Sequence, residues 1–466
     1  MNFTYKLNLI MNFTYNISGG IILKITKPRG TRDFLFKEMK ERRNAENTLR
    51  EVFENYAYQE IKTPIFENLS LFTTKSGEEI VDQLYNFEDK SNREIALRPE
   101  LTAPVARLYL NEMQKTAKPI KLYYFGSCFR YERTQKGRFR QFWQFGCELI
   151  GAKSPEGEAE VIAMAEDSIK KLGIENAEIH INHLGIIRGL FEHFNIDSET
   201  QETIMNLIDK GDKKLFIDSL KLGQNPLIKD IFLQDILIKF FDLTGKDEIL
   251  DEIEIIINDY EKAIASLNEF KELLKYLKAF DVSNYNINLG VARGLDYYTG
   301  IVFEIYVPEL GAQKQIAGGG SYNLVELFGG EAIESTGFAF GFDRLMNAIK
   351  ETDEEHSMVE VYVACPLSKG NHEEIITKSF EVGQTLRRAN ISTEIDLSRK
   401  KFKKLLNIAN KLNVKYFIIV GENDLEENSV TIKNMDTGNQ ELVAINNIIT
   451  YIKNQIDNNN KKNKNN

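Results

Sequence analysis

Cysteine, tryptophan and proline are scarce in this chain, at three, one and nine of 466 residues. Cys128, Cys147 and Cys365 show no metal-ligand spacing, and three thiols build no disulfide framework, so buried free thiols in a reducing cytoplasm are expected. No run of about eighteen apolar residues occurs, which excludes a membrane-spanning helix. The start lacks the basic segment and long apolar core of a signal peptide. Excess positive charge is missing as well. A net charge of -10 argues against an overall basic nucleic-acid coat, though not against a local basic face. There is no G-x-x-x-x-G-K-[ST] loop and no dinucleotide fingerprint after a strand, so any phosphate site must be built from side chains.

What remains is a soluble globular composition, 42% hydrophobic and 27% charged, with length for roughly two to four domains. Residues 1–24, in which MNFTY occurs twice, read as a disordered extension. Helical spacing of Leu49, Val52, Phe53 and Tyr56 marks 37–56, and 58–68 reads as a strand interrupted by Pro64, at an edge or a partner surface. Residues 85–87 and 94–97 suggest a hairpin, and RPELTAPVAR (98–107) leads into a helix. The stretch 122–151 reads as strand, basic loop, strand, with Arg130 at the end of the first strand and Arg133, Lys136, Arg138 and Arg140 around Gly137. Such a loop suits an anionic ligand, and equally describes a hairpin with a solvated basic tip. A helix over 156–172 and a strand over 177–181 follow, then an almost wholly helical insertion, 185–285. Strand character returns at 288–307, AGGGSYNLVELFGG covers 317–330, and 335–349 runs from a Gly-rich strand into a helix carrying Arg344. Residues 358–457 alternate strand and helix as a small α/β domain, and the Asn/Lys-rich end, 458–466, reads as a disordered tail.

Arg130, Arg293 and Arg344 each stand near glycines on expected strand or helix ends. Arginine is no base at neutral pH, so three together point to charge neutralisation on a polyphosphate.

FRYE (129–132), the basic loop, FWQFGCE (142–148), RGLDYYTG (293–300) and GFAFGFDRL (337–345) occur in that order. With these motifs the chain resembles class II aminoacyl-tRNA synthetases, and within them the histidyl-tRNA synthetase family, over 27–449. The resemblance implies an α+β fold. A class II antiparallel-sheet catalytic domain (25–184 and 286–352) would hold the helical insertion, and an α/β anticodon-binding domain (358–457) would follow. It implies activation of L-histidine with ATP to histidyl-adenylate, transfer to the 3' end of tRNA(His), Mg²⁺, and a homodimer built partly by the strand around Pro64.

In that family Arg130 would bridge the histidine carboxylate and the α-phosphate, with Arg293 approaching from the other side. Arg344 would hold the γ-phosphate, Arg138 would lie among the ATP contacts, Glu132 would take the adenine amino group and Phe142 would stack on the base. Glu100, Thr102 and Gln144 would receive the α-ammonium, Glu148 and Tyr298 the imidazole, and Tyr297 and Tyr322 would line the pocket. Glu148 as a strand-edge ion pair and Tyr297 as a core aromatic remain open, and Trp143 is expected in the core. Family members commonly place an arginine and an aspartate where this chain has Ser321 and Asn323 in GGGSYN. SRKKFKKL (398–405) is either a phosphate contact or a solvated helix face. The competing reading is a non-catalytic paralogue that regulates ATP phosphoribosyltransferase.

Overall fold

The computed structural model describes residues 25–464 apart from 75–80, 133–137, 222–226, 293–296, 351–358, 366–371 and 399. The chain divides into two units at Lys350/Glu351. In the first, α1 (Phe36–Asn55) turns Leu49, Val52 and Phe53 inward, as their spacing predicts. The interrupted strand read from 58–68 is two strands in two sheets. β1 (Gln59–Glu60) lies on a large sheet, and β2 (Phe66–Asn68) joins β4 (Glu94–Leu97) and β3 (Tyr85–Glu88) in a three-stranded one. Pro64 between them has no N–H for either ladder. After α2 (Thr102–Leu108) comes the long hairpin, β5 (Ile120–Phe129) with β6 (Gln141–Ile150). Arg130, expected on the first strand, is the first residue beyond it.

α3 (Glu156–Lys171) and β7 (Glu178–His183) lead into the insertion. It comprises α4 (Leu184–His193), α5 (Ser198–Lys210), α6 (Lys213–Lys221), α7 (Ile231–Asp242), β8 (Thr244–Gly245), α8 (Ile249–Ile257) and α9 (Glu261–Ala279). β9 (Tyr285–Asn288), β10 (Tyr298–Tyr306), β11 (Gln315–Tyr322), β12 (Ser335–Gly341) and α10 (Phe342–Ala348) complete the unit. The large sheet has the order β1-β5-β6-β12-β11-β10-β7-β9-β8. Its middle is antiparallel, while β1/β5 and β7/β9 run parallel, so the antiparallel sheet read from the sequence is mixed towards its ends. One continuous hydrophobic core takes side chains from the sheet, α1, α3 and the insertion helices alike.

Strand register sorts the sheet into two faces. One carries Tyr123, Phe145, Cys147, Phe338 and Phe340, and Phe53 of α1 packs into it with ring centroids 5.0 Å from Phe145 and 5.7 Å from Phe338. The other bears Gly126, Gly146, Gly318, Gly320, Gly337 and Ala339 across four neighbouring strands, with Tyr124, Gln144, Glu148 and Tyr322 among them. Removing side chains from a sheet face leaves it open to a ligand. At Gly337 the need is local too, because a Cβ there would lie 2.2 Å from Glu148 Oε2. Cys128 and Cys147 point to opposite faces of the sheet and are buried free thiols, as expected.

In the second unit β13 (Val361–Ala364), α11 (His372–Arg388), β14 (Thr393–Ile395), α12 (Phe402–Lys411), β15 (Tyr416–Ile419), β16 (Ser429–Asn434) and β17 (Gln440–Ala444) form a sheet of order β14-β13-β15-β16-β17. β17 escapes the sequence reading because four of its five residues are exposed and QELVA shows no polar/apolar alternation. α13 (Ile448–Lys464) runs on through the stretch expected to be a disordered tail. Buried Ile448 and Ile452 anchor its start, and extending a nucleated helix adds one hydrogen bond per residue. Among the described residues no helix is long and apolar enough to cross a membrane.

Candidate active site

Arg130 leaves β5 with its backbone N–H donating to the Arg140 carbonyl at 3.0 Å. Its Nε donates to the Pro99 carbonyl at 3.0 Å, and its guanidinium carbon lies 5.4 Å from the centre of the Phe142 ring. Arg344, in the first turn of α10, donates from Nη1 to the Gln315 carbonyl at 3.0 Å. These anchored arginines line one hollow with Glu132, Arg138, Phe142 and Gln144, over a floor that includes Gly318, Ala339 and Gly341.

The charge balance shows what the hollow lacks. Burial lowers the Arg344 pKa, the nearby charges of Arg138 and Arg130 lower it further, and Glu132 opposes them. Cations crowded against one another in a half-buried site are relieved by a polyanion. Glu132 Oε2 is buried without a hydrogen-bond partner, 3.7 Å from Arg138 Nη1. It is an unused acceptor, suited to an amino group.

Behind the hollow, Asp343 fixes the start of α10. Oδ1 receives Arg42 Nη1 at 2.9 Å and Arg32 Nη2 at 2.8 Å, and Oδ2 receives the Trp143 backbone N–H at 3.0 Å. Trp143, expected in the core, is only half-buried, with its ring 5.2 Å from Phe34.

A second polar cluster begins where Arg130 ends. Glu100 is buried, and its carboxylate accepts the N–H groups of Thr102 and Ala103 at the start of α2, the latter at 3.0 Å. Burial raises its pKa, while those N–H groups and then the charge of Arg130 pull it down. Glu148, 1% exposed, accepts the Tyr124 hydroxyl on Oε1 at 3.0 Å. Its Oε2 and the Tyr322 hydroxyl are buried and complete no hydrogen bond. Burial pushes Glu148 up to about 8, against the pull of neighbouring hydroxyls, Thr102 and Tyr124 among them. Tyr297 lies 5.0 Å from Tyr298 and 6.1 Å, edge-on, from Tyr322, which makes a buried aromatic wall. Gln144 Oε1 accepts Cys128 Sγ at 3.3 Å.

Arg130, Glu132, Arg138, Phe142, Gln144 and Arg344 therefore share one hollow. Glu100 and Glu148, with Thr102 and the tyrosines 297, 298 and 322, form the neighbouring apolar-walled cluster. Arg293, Arg133 and Lys136 lie outside the described residues. Ser321 faces away from the hollow and donates to buried Glu158 Oε1 at 2.8 Å, where an arginine would have placed a cation. Asn323 donates its backbone N–H to the Tyr297 carbonyl at 3.2 Å. Two contributors escape the sequence reading, Asp343 and Tyr124. The period of two along β5, once registered against β6, was the available signal for Tyr124.

Residues 30–345 match the family model described as histidyl-tRNA synthetase, and 360–455 match that of the anticodon binding domain. The chain is 46% identical over 432 residues to the histidine–tRNA ligase of Methanocaldococcus jannaschii, covering 92% of this chain and all of that one. Among solved structures, apo histidyl-tRNA synthetase of S. aureus is 30% identical with a TM-score of 0.70, covering 92% of this chain and all of its own. An ATP phosphoribosyltransferase regulatory subunit/histidyl-tRNA synthetase from Bacillus halodurans is 22% identical with a TM-score of 0.71, covering 85% of this chain and 99% of its own, and shares the fold.

Proposed function

The chain belongs to the histidyl-tRNA synthetase family, and from that premise we propose how its own residues divide the work. It is an aminoacyl-tRNA ligase that uses ATP to charge tRNA with histidine. In the first step a histidine carboxylate oxygen attacks the α-phosphorus and pyrophosphate leaves. In the second, a hydroxyl of the terminal ribose attacks the histidyl carbonyl and AMP leaves. The carboxylate is already a nucleophile, so the first step needs alignment and charge neutralisation rather than a base.

The observation that carries this division is the place of Arg130, anchored on the Pro99 carbonyl next to Glu100 while lining the hollow together with Arg344. A guanidinium there bridges carboxylate and α-phosphate, two anions that otherwise repel. Arg344 and Arg138 hold the outer phosphates, and Phe142 stacks on adenine with the free Glu132 oxygen accepting its amino group. Glu100, Thr102 and Gln144 receive the histidine ammonium. Glu148 Oε2 accepts one imidazole N–H, with Tyr298 serving the other ring nitrogen and Tyr322 and Tyr297 lining the pocket. Arg293 of the RGLDYYTG motif is the second cation assigned to the α-phosphate. Mg²⁺, held chiefly by the nucleotide's own phosphates, would offset part of their charge.

The enzyme works in the cytoplasm as a homodimer on tRNA(His). Exposed Ile65, Phe66 and Phe87 on and beside the three-stranded sheet supply apolar surface for the dimer. The regulatory paralogue is the poorer reading, because an emptied site has no use for Arg130 and Arg344 anchored around one hollow. Histidine-dependent ATP–pyrophosphate exchange tests the assignment. Arg130→Ala and Arg293→Ala should each lower the exchange rate by about 10²–10³, the scale of one oxyanion donor. Absence of exchange with histidine, or an Arg130→Ala variant as fast as the parent, refutes it.

A further inference from the structure

The segment that precedes α1 has no role in the site described above. None of residues 25–36 is buried, so no core holds the segment in place. What it touches are the walls of the hollow. The Gly30 carbonyl accepts the backbone N–H groups of Arg140 at 2.9 Å and Gln141 at 3.4 Å, where the basic loop runs into β6. The Arg140 carbonyl in turn accepts the Arg130 N–H, so Gly30 lies one hydrogen-bonded step from that arginine. Glycine is required there. Its φ is +83°, and a Cβ would lie 2.7 Å from Arg140 Cγ.

Beyond this turn, Arg32 and Phe34 enter an alternating stack of cations and rings. The Arg32 guanidinium carbon lies 4.1 Å from the centre of the Phe139 ring and 4.7 Å from that of Phe34. Arg42 of α1 lies 4.1 Å from the Phe34 ring and 5.1 Å from that of Trp143. Asp343 Oδ1 receives both arginines, at 2.8 and 2.9 Å, which sets their guanidinium groups side by side. Phe139, Trp143 and Asp343 all line the hollow. The stack therefore begins and ends on its wall, and two of its members come from a segment with no buried residue of its own.

The two arginines differ in what their loss would do. Arg42 is buried, and without it Asp343 and the start of α10 lose their inner support. The Arg32 side chain is 31% exposed, and without it Asp343 still holds Arg42 and the Trp143 N–H. Its other carboxylate neighbour, Glu38, is looser at 3.8 Å. What Arg32 contributes is its contact with Phe139. That ring follows Arg138 directly in the chain, and both line the hollow. With its cap removed, this lip is freer to swing outward, and a site loosened by about an ångström binds less well.

We propose that Arg32 is a positioning residue for ATP. By capping Phe139 and joining it to Asp343, it holds the lip that carries Arg138 against the start of α10, which carries Arg344. Gly30 fastens the same segment to the end of the basic loop, so residues 30–34 act as a strap across the nucleotide site. Arg32 works through Phe139 and Asp343, not on the nucleotide itself. This rests on the reading of the hollow as the ATP site and adds a residue outside its lining on which its affinity depends.

The test uses the full-length chain and measures ATP binding by calorimetry beside histidine-dependent pyrophosphate exchange. Arg32→Met keeps an apolar stem and removes the cation. It should raise both the Kd and the KM for ATP about 2- to 30-fold, the scale of one cation–π contact, and leave the KM for histidine unchanged. Its Tm should stay close to the parent's, because Asp343 keeps Arg42. Arg32→Lys, which retains a cation without the planar fork, should recover part of the loss. Gly30→Ala strains the strap without changing any charge and should weaken ATP in the same way; it decides the matter if Arg32→Met folds poorly. Arg32→Met combined with Phe139→Leu should cost less than the sum of the two single losses, since both remove one contact. Unchanged ATP affinity in Arg32→Met and Gly30→Ala, a histidine KM rising in step with that for ATP, or strictly additive losses overturn the positioning role and leave the enzyme reading intact. A parent protein without histidine-dependent exchange overturns the enzyme reading, while the ATP Kd series still decides on Arg32.

Discussion

Tyr124→Phe removes one oxygen atom and isolates the recognition of the histidine ring. The Tyr124 hydroxyl donates to Glu148 Oε1 at 3.0 Å, and both groups are buried, so no water replaces it readily. A hydrogen bond to a charged group contributes about 1.5–3 kcal/mol. Without that bond Glu148 should present Oε2 less well, and kcat/KM for histidine should fall roughly 10- to 150-fold. The pH profile gives the change a signature. Burial raises Glu148 to about 8 and the Tyr124 hydroxyl is among the groups pulling it back. The carboxylate accepts an imidazole N–H when ionised, so kcat/KM for histidine should rise with pH through about 8 in the parent enzyme. In the variant the midpoint should move higher, while the KM for ATP stays put. The assay is pyrophosphate exchange at pH 6–10, varying each substrate in turn. An unmoved midpoint with an unchanged histidine KM, or a matching rise in the KM for ATP, would show that Tyr124 does not position Glu148.

Glu148→Gln should stabilise the fold above pH 8 while abolishing histidine selectivity. The unfolded carboxyl ionises near 4.5 and the folded one only near 8, so the parent loses stability, on the order of a few kcal/mol, as pH rises between those values. Melting curves at pH 5 and pH 9 check this, and equal Tm differences at both would contradict it. Asp343→Ala should lower stability by about 3–5 kcal/mol, because buried Arg42 loses its counter-ion, and a calorimetric Tm close to the parent's would rule that out. Phe142→Ala should raise the KM for ATP about 5- to 100-fold and leave the KM for histidine alone. A change confined to histidine would place the ring in the wrong subsite.

Much of the site was legible because its residues sit inside ordered motifs. Arg130 and Glu132 flank one strand end, and Arg344 follows a glycine-rich strand, so local pattern alone is enough to place them. Tyr124 and Asp343 were not legible for the opposite reason. Their partners lie 24 and about 300 residues away, and only register and packing bring them together. The division of 58–68 between two sheets was half visible, since Pro64 marks an interruption without saying where the chain resumes. β17 was invisible because an exposed edge strand needs no alternation of polar and apolar residues.

The insertion helices do not form a separable annex. α9 lays Phe270 and Leu273 into the same apolar mass that Phe53, Phe145 and Phe338 occupy, and the insertion itself and the chain leaving it supply β8 and β9, the far border of the catalytic sheet. β7 and β9 are nevertheless neighbours in parallel, about a hundred residues apart along the chain. Closing so long a loop is entropically unfavourable until its ends are joined, so that border of the catalytic floor forms late, once the intervening helices have condensed. A shortened version of this enzyme stripped of that segment would lose one border of its sheet and part of the shared core, rather than a dispensable ornament.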